Sequence, residues 1–409
     1  MPTLAIRGGD FLAVYSIDQS FISLFSKYID EEDIKAFPFN CVNFLKNDDF
    51  EQTKLKFFEE KISKMELSII KNDIISVIRY NRFQSFHNLS YVSCTNCKTI
   101  EEYAFQGCDN LKTCYFPTCT DVRPAAFYYC TTLPMVSLEE CQYIGDEAFY
   151  ACYELSRVEL AKCKTINSRA FAYCYKLSSV WTPSVQFCMS MAFYQCGKLE
   201  YIEMPKCTNI SYAAFAGTGI TSIDAVNCID IGSYAFGSCS QLRFASFPSC
   251  RMLGSGAFNR CENLSYVSLP ICEAINNSTF KFCKKLSNVY LPMCKTIYAY
   301  VFEQCNSLSQ LNLPNVETVV NCAIVDCPSL QCLKLPACTT MYDNIFSLCS
   351  NITSIYLLTS EIISAAGNLK QPFPLEARTS LKIYVPSSLF ESYKYYSPWS
   401  KYSTCFVSV

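Results

Sequence analysis

From residue 75 onward the chain repeats a single pattern of apolar and polar positions with a period of 22 residues. A phenylalanine keeps the register: Phe83, Phe105, Phe127, Phe149, Phe171, Phe193, Phe215, Phe236, Phe258, Phe280 and Phe302, followed by Ile324 and Phe346. Every step is 22 residues except Phe215 to Phe236, which is 21. Five positions before the phenylalanine stands an isoleucine or its equivalent, as in Ile100, Val122 and Ile144. A small residue usually precedes it (Ala104, Ala126, Ala148), and a leucine or isoleucine follows six positions later (Leu111, Leu133, Ile352). Then comes strict alternation, as in Val158-Glu159-Leu160 and Val267-Ser268-Leu269, often closed by a proline such as Pro117, Pro205 or Pro270. Alternation predicts a half-buried strand, and proline falls where a ladder donor is no longer required. A fixed period of this length predicts a stack of structural repeats in which each coil buries its apolar face against its neighbours. Each coil is expected to supply one short strand and a compact turn or helical segment carrying the Ala-Phe pair. About thirteen such coils stack with their strands parallel.

The period does not cover the whole chain. Residues 1–58 are read as a small N-terminal capping or attachment domain. Leu4–Ile6 and Phe11–Ile17 flank a Gly8-Gly9 turn that suits a hairpin, and Asp18 is placed to cap a helix. Residues 59–358 form the repeat array, beginning with a degraded half-repeat over 62–73. Residues 359–409 are read as a C-terminal cap, because an open stack would template further pairing. In that cap Ile383–Val385 are expected to form the last strand, with Pro386 ending it. Ser387 or Ser388 would cap a short helix that stops before Pro398. Ser360 to Ser380, which leave the period, are expected to be a loop.

The chain holds 28 cysteines, and most are metered by the repeat. One ladder lies three residues after the phenylalanine (Cys108, Cys130, Cys152 and onward). The other lies eight before it (Cys97, Cys119, Cys141 and onward). Their replacements include Phe86, Val185, Thr218 and Val316, mostly apolar or small, so these positions ask for burial, which suits free cysteine. Like positions in stacked coils lie about 4.8 Å apart with parallel side chains. A disulfide needs Cβ atoms that converge to about 3.8 Å. A zinc site needs four ligands converging on one point rather than a row. Reduced, buried thiols are the expectation, with no metal and no cofactor.

The run C-x-x-I-x-x-x-A-F-x-x-C-x-x-L-x-x-V-x-L-P resembles the BspA-like class of leucine-rich repeats, over about three-quarters of the chain. The segment from Leu381 to Trp399, LKIYVPSSLFESYKYYSPW, is similar to the closing segment of BspA-like proteins from gut Firmicutes and their prophages. The resemblance implies a leucine-rich-repeat solenoid.

Charge and chemistry narrow the function classes. Lys plus Arg number 34 and Asp plus Glu 36, so there is no basic excess of the kind that nucleic acid or an anionic membrane rewards. No apolar run is long enough to span a bilayer. The start, MPTLAIRGGDFLAVYSI, is broken by Arg7 to Asp10 and does not read as a secretory signal peptide. A virion or cytoplasmic location is therefore expected, with the cell surface reached only by unconventional export. The single histidine, His87, cannot supply a metal cluster, its position within the repeat suggests a structural or surface role, and no base accompanies the cysteine ladders to activate a thiol. No enzyme is expected.

The informative positions are those that the repeat leaves free, eight and ten residues after the phenylalanine, where strand side chains point away from the core. Tyr115, Arg157, Trp181, Tyr201, Phe244, Tyr266, Tyr290 and Tyr356 stand there. Aromatics beside polar groups suit recognition of a protein or glycan, because a ring brings large contact area at low entropic cost. Aromatic residues also favour strands for packing reasons alone. The resulting expectation is a non-enzymatic recognition protein. Its leading form is a phage or prophage tail-associated receptor-binding component, with residues 1–58 as the module for attachment, oligomerisation or larger assembly. The alternatives are a bacterial or protist surface adhesin and an intracellular protein-binding scaffold or effector.

Overall fold

The structure, a computed structural model, describes residues 69–72, 75–365 and 380–409. The expected hairpin and helix of the N-terminal 58 residues lie outside the described residues. The chain divides into two compact units, Met1–Ser184 and Val185–Val409. Among the described residues each is a stack of parallel strands, the leucine-rich-repeat solenoid that the period predicts.

Each coil carries two strands rather than one. The first series, usually three residues long, includes Tyr91–Ser93, Thr113–Tyr115 and Arg157–Glu159 in the first unit, and Phe244–Ser246, Tyr266–Ser268 and Asn288–Tyr290 in the second. The second series is two residues long and contains the isoleucine of the repeat: Thr99–Ile100, Asp121–Val122, Asn209–Ile210, Thr296–Ile297. Pairing is parallel and in strict register, so that Val92 faces Cys114 and Val267 faces Val289 across the ladder. In Thr113–Tyr115, Ser179–Trp181 and Tyr201–Glu203 the middle residue is buried and its neighbours point outward, as the alternation requires.

The core is a column. Within the first unit Phe83, Phe105, Phe127, Phe149 and Phe171 stack in succession, with ring centroids 5.3, 5.1, 5.0 and 5.3 Å apart. In the second unit Phe215, Phe236 and Phe258 continue the same way at 5.5 and 5.3 Å. These separations are close to the coil spacing and leave no room for another layer. Where an alanine precedes the phenylalanine it is fully buried for the same reason. A stacked pair of this kind contributes about 0.5–1.5 kcal/mol beyond the area it buries.

The Ala-Phe segment is a turn, not a helix. The residues two before and two after the phenylalanine adopt left-handed backbone: Tyr103 at φ 57° and Gly107 at φ 70°, Arg169 at φ 54° and Tyr173 at φ 62°. Few of them are glycine. Left-handed backbone costs a non-glycine residue roughly 1–2 kcal/mol. It persists because it aligns the amides with the next coil. Gly107 N–H donates to Tyr128 C=O at 2.8 Å, Phe105 N–H to Ala126 C=O at 2.8 Å, and Tyr129 N–H to Tyr150 C=O at 2.9 Å. This third ladder of backbone hydrogen bonds is what a helical segment could not supply.

The ends add rungs that the phenylalanine count misses. Ile69–Lys71, in the degraded half-repeat, pairs with Tyr91–Ser93. Within the segment read as a loop, Ser364–Ala365 pairs with Thr340–Met341. Lys382–Val385 pairs with Ser354–Tyr356 but is not the last strand, since Phe406–Ser408 pairs with its other edge. The helix that follows Pro386 begins as a 3-10 turn over Ser387–Leu389 and continues as α1, Phe390–Tyr395. Neither serine caps it through a side chain: Ser387 Oγ instead donates to Val409 C=O at 3.0 Å. Behind α1 the backbone at Ile363 is held from both sides. Its N–H donates to Tyr393 Oη at 3.1 Å and its C=O accepts from Trp399 Nε1 at 3.2 Å.

Candidate binding face

The longer strands set the eighth and tenth positions outward in both units. In the first, Tyr115, Arg157 and Trp181 are exposed, Trp181 by 52%. Arg157 is not a free cation: its guanidinium lies 2.6 Å from the Glu159 carboxylate on its own strand. In the second unit Tyr201, Phe244 and Tyr290 are exposed, while Tyr266 and Tyr356 are half-buried. Tyr201 donates its hydroxyl to Glu203, and that hydrogen bond raises the phenol pKa above its ordinary value. Trp181 and Tyr201 belong to different units.

Two of the predicted aromatics meet. Phe244 and Tyr266 stack with centroids 5.0 Å apart and planes 2° from parallel, because their strands pair residue for residue. Tyr356 finds a partner that the period conceals. Tyr384, on Lys382–Val385, lies 4.4 Å away in a stack tilted by 7°, and Lys334 reaches over the other side of Tyr356 with its Nζ 5.4 Å from the centroid. Lys334, Tyr356 and Tyr384 thus line one outward row of the second unit. Lys334 was legible as a tenth-position residue. Tyr384 was not, because it follows the break in the period; its only signal is the alternation in Lys382-Ile383-Tyr384-Val385.

The cysteine ladders belong to the core. Cys108, Cys130 and Cys152 donate their thiols to the carbonyls of Phe83, Phe105 and Phe127 at 2.9, 3.1 and 3.2 Å. The second ladder turns inward within its own coil, Cys141 to Tyr143 C=O at 3.3 Å and Cys163 to Thr165 C=O at 3.0 Å. Burial pushes up the thiols of Cys141, Cys163 and Cys338, Cys163 to about 11 and Cys338 to about 12. Thiols raised in this way are poor nucleophiles held as donors. The described cysteines carry thiols, not disulfides. Among the described residues no group of three or more His, Cys, Asp or Glu is arranged to hold a metal ion. His87 sits on the surface with Nδ1 2.9 Å from Asp109 of the next coil. No helix among the described residues is long and apolar enough to cross a membrane.

The fold and its metered core define a leucine-rich-repeat scaffold of the kind that serves recognition. The model of the BspA type leucine rich repeat region matches residues 53–178, 164–287 and 273–368, and the chain belongs to that family. Among solved structures, a leucine-rich repeat protein from Bacteroides ovatus is similar at 24% identity. The match covers 71% of this chain and 87% of that one with a TM-score of 0.59, which shows a shared fold. A leucine rich cell surface protein from Faecalibacterium prausnitzii matches at 18% identity over 78% of each chain, with a TM-score of 0.28 that carries no argument. Comparison with curated protein sequences gave no match.

Proposed function

We propose that this is a non-enzymatic recognition protein that binds a protein or glycan of a cell surface through the outward row of its longer strands. The observation that carries this reading is the pair of preformed aromatic platforms in the second unit, Phe244–Tyr266 and Lys334–Tyr356–Tyr384. Stacked rings on a rigid ladder have already lost their rotamer freedom, so a ligand meets a surface that costs little to order. Trp181 and Tyr115 offer similar exposed rings on the first unit.

In its specific form the protein is a phage or prophage tail-associated receptor binder, and residues 1–58 attach it to the larger assembly. The support for that form is the resemblance of residues 381–399 to the closing segment of prophage-type relatives. A second reading, an intracellular protein-binding scaffold, is favoured by the buried cysteine rows, whose thiols donate to backbone carbonyls of the stack.

Binding of the purified protein to intact cells and to a glycan array tests the core proposal. The Phe244→Ala/Tyr266→Ala and Tyr356→Ala/Tyr384→Ala variants are expected to lose binding while their thermal unfolding stays cooperative. Full binding by both double variants would overturn it. Co-sedimentation with virions, with the cell envelope or with neither separates the specific forms.

A further inference from the structure

Three successive coils of the first unit carry tyrosines on their turns rather than on their strands, in the segments FYYC, FYACY and FAYCY that begin at Phe127, Phe149 and Phe171. The rings form a closed circuit. Tyr129 lies 5.9 Å from Tyr150, Tyr150 lies 5.2 Å from Tyr173, and Tyr173 lies 6.1 Å from Tyr175. Tyr175 then stacks on Tyr153 at 5.3 Å, and Tyr153 returns to Tyr129 at 6.3 Å. Tyr128 stacks on Tyr150 at 4.9 Å. The position equivalent to Tyr129 and Tyr173 in the middle coil is Ala151, which is buried. Along the stack that row therefore reads large, small, large, with the half-buried ring of Tyr150 touching both tyrosines. None of these residues belongs to the sheet face.

We propose that this tyrosine circuit is a docking site for a proline-rich segment in the left-handed polyproline conformation. Three features select that occupant. The charges beside the cluster are already paired, Glu147 with Arg169 at 3.0 Å and Glu154 with Lys176 at 2.6 Å, so the patch presents no net charge to a nucleic acid or an anionic lipid. The cluster supplies ring faces and phenol donors. Burial raises Tyr128 and Tyr153 and pushes Tyr150 up to about 12, so all three stay protonated in neutral and mildly alkaline solution. A polyproline helix is the complementary ligand: it makes no internal hydrogen bonds, leaves its carbonyls open as acceptors, and its prolines bring no N–H that would need an acceptor. The spacing also fits. A polyproline turn of three residues rises about 9.3 Å. Tyr129 and Tyr173 are two coils apart, about 9.6 Å at the usual spacing of parallel strands. Proline rings one turn apart would sit against equivalent tyrosines, the arrangement by which aromatic-lined grooves read such segments.

The test uses the full chain and a fluorescein-labelled dodecaproline, read by fluorescence anisotropy. Saturable binding is expected, weakened roughly tenfold by Tyr129→Ala or by Tyr173→Ala, as for a ring at the centre of a contact. Tyr129→Phe and Tyr173→Phe keep the ring and are expected to lose less, through the hydroxyl alone. Trp181→Ala and Phe244→Ala, on the sheet face, are expected to change nothing, which separates this site from the one proposed above. Absence of saturable binding to the wild-type protein at millimolar peptide would overturn the proposal. So would binding undiminished in the tyrosine-to-phenylalanine and tyrosine-to-alanine variants alike. Tyrosine-dependent binding of cellohexaose in place of dodecaproline would assign the site to a neutral glycan and would equally overturn it.

Discussion

The thiol of Cys152 donates to the carbonyl of Phe127, 3.2 Å away and 25 residues earlier in the chain. The same carbonyl also accepts the N–H of Cys130, at 3.1 Å, within its own turn. A buried carbonyl has two lone pairs to satisfy, and a small apolar side chain with a single weak donor meets that need without bringing in a second polar demand. Where Thr218 replaces cysteine the bond to the preceding coil is not kept: its hydroxyl donates instead to Phe215 C=O of its own coil, at 2.8 Å. Cys152→Ala removes the donor and leaves a small void. It is expected to cost about 1–3 kcal/mol, measured by urea unfolding. A Cys152→Ala protein as stable as the wild type would show that the ladder is mere filler.

The raised thiols predict a direction for stability against pH. A group whose proton is held more tightly in the folded chain contributes stability that is present below its unfolded value of 9.0 and is lost as pH climbs through the folded value. Cys163 and Cys207 release near 11 and Cys294 and Cys338 near 12. The melting temperature should therefore be flat with respect to these thiols up to about pH 9 and fall progressively above it. Replacing Cys163 and Cys207 together by valine should flatten part of that fall; an unchanged alkaline limb would contradict the assignment.

Exposure predicts which thiols react. Among the described cysteines Cys322 and Cys332 are half-buried and the rest are buried. A disulfide reagent added to the folded protein at pH 8 should label those two first, and the ladder cysteines only at the rate of unfolding. Peptide mapping after a short pulse reads the result. Rapid labelling of Cys152 or Cys283 would mean that the coils open far more readily than their packing implies.

The 21-residue coil leads to a backbone prediction. There the chain shortens through Gly217-Thr218-Gly219, and Ile220 takes the place of the repeat leucine, fully buried. A methyl group on Gly219 would stand 2.4 Å from Gly197 C=O of the preceding coil. Gly219→Ala must push two coils apart and should cost about 1–3 kcal/mol. Gly197→Ala is the control, since nothing lies within 4 Å of a methyl group there. Equal melting temperatures for the two variants would refute the close approach.

The closing segment is tested at Tyr393. Its buried hydroxyl accepts the Ile363 N–H. Tyr393→Phe leaves that amide without an acceptor and is expected to cost about 1–3 kcal/mol. Trp399→Phe, which removes the donor to the carbonyl of the same residue, should be similar in size. A double variant should show that the two losses do not add, because they act on one residue.

Most of the fold was legible because a period makes residue i and residue i+22 neighbours. Every feature inside the period could be read along the chain: the phenylalanine column, the two thiol ladders, the buried alanine, and the outward eighth and tenth positions. Phe244 beside Tyr266 follows from that arithmetic alone. The turn around the phenylalanine did not follow, since only Gly107, Gly217 and Gly256 mark left-handed positions that Tyr103, Arg169 and many others also occupy. Their backbone is set by the hydrogen bonds it makes to the next coil, which no local preference announces. The same holds where the chain leaves the period. Ser364–Ala365 and Phe406–Ser408 become strands because an exposed ladder edge has donors and acceptors to satisfy, and Tyr384 meets Tyr356 as a consequence. Sequence alone determined the repeat, its core and the rows facing outward. The tertiary structure decided which of the outward rings touch, and what closes the ladder, because those depend on edges that have no counterpart one period away.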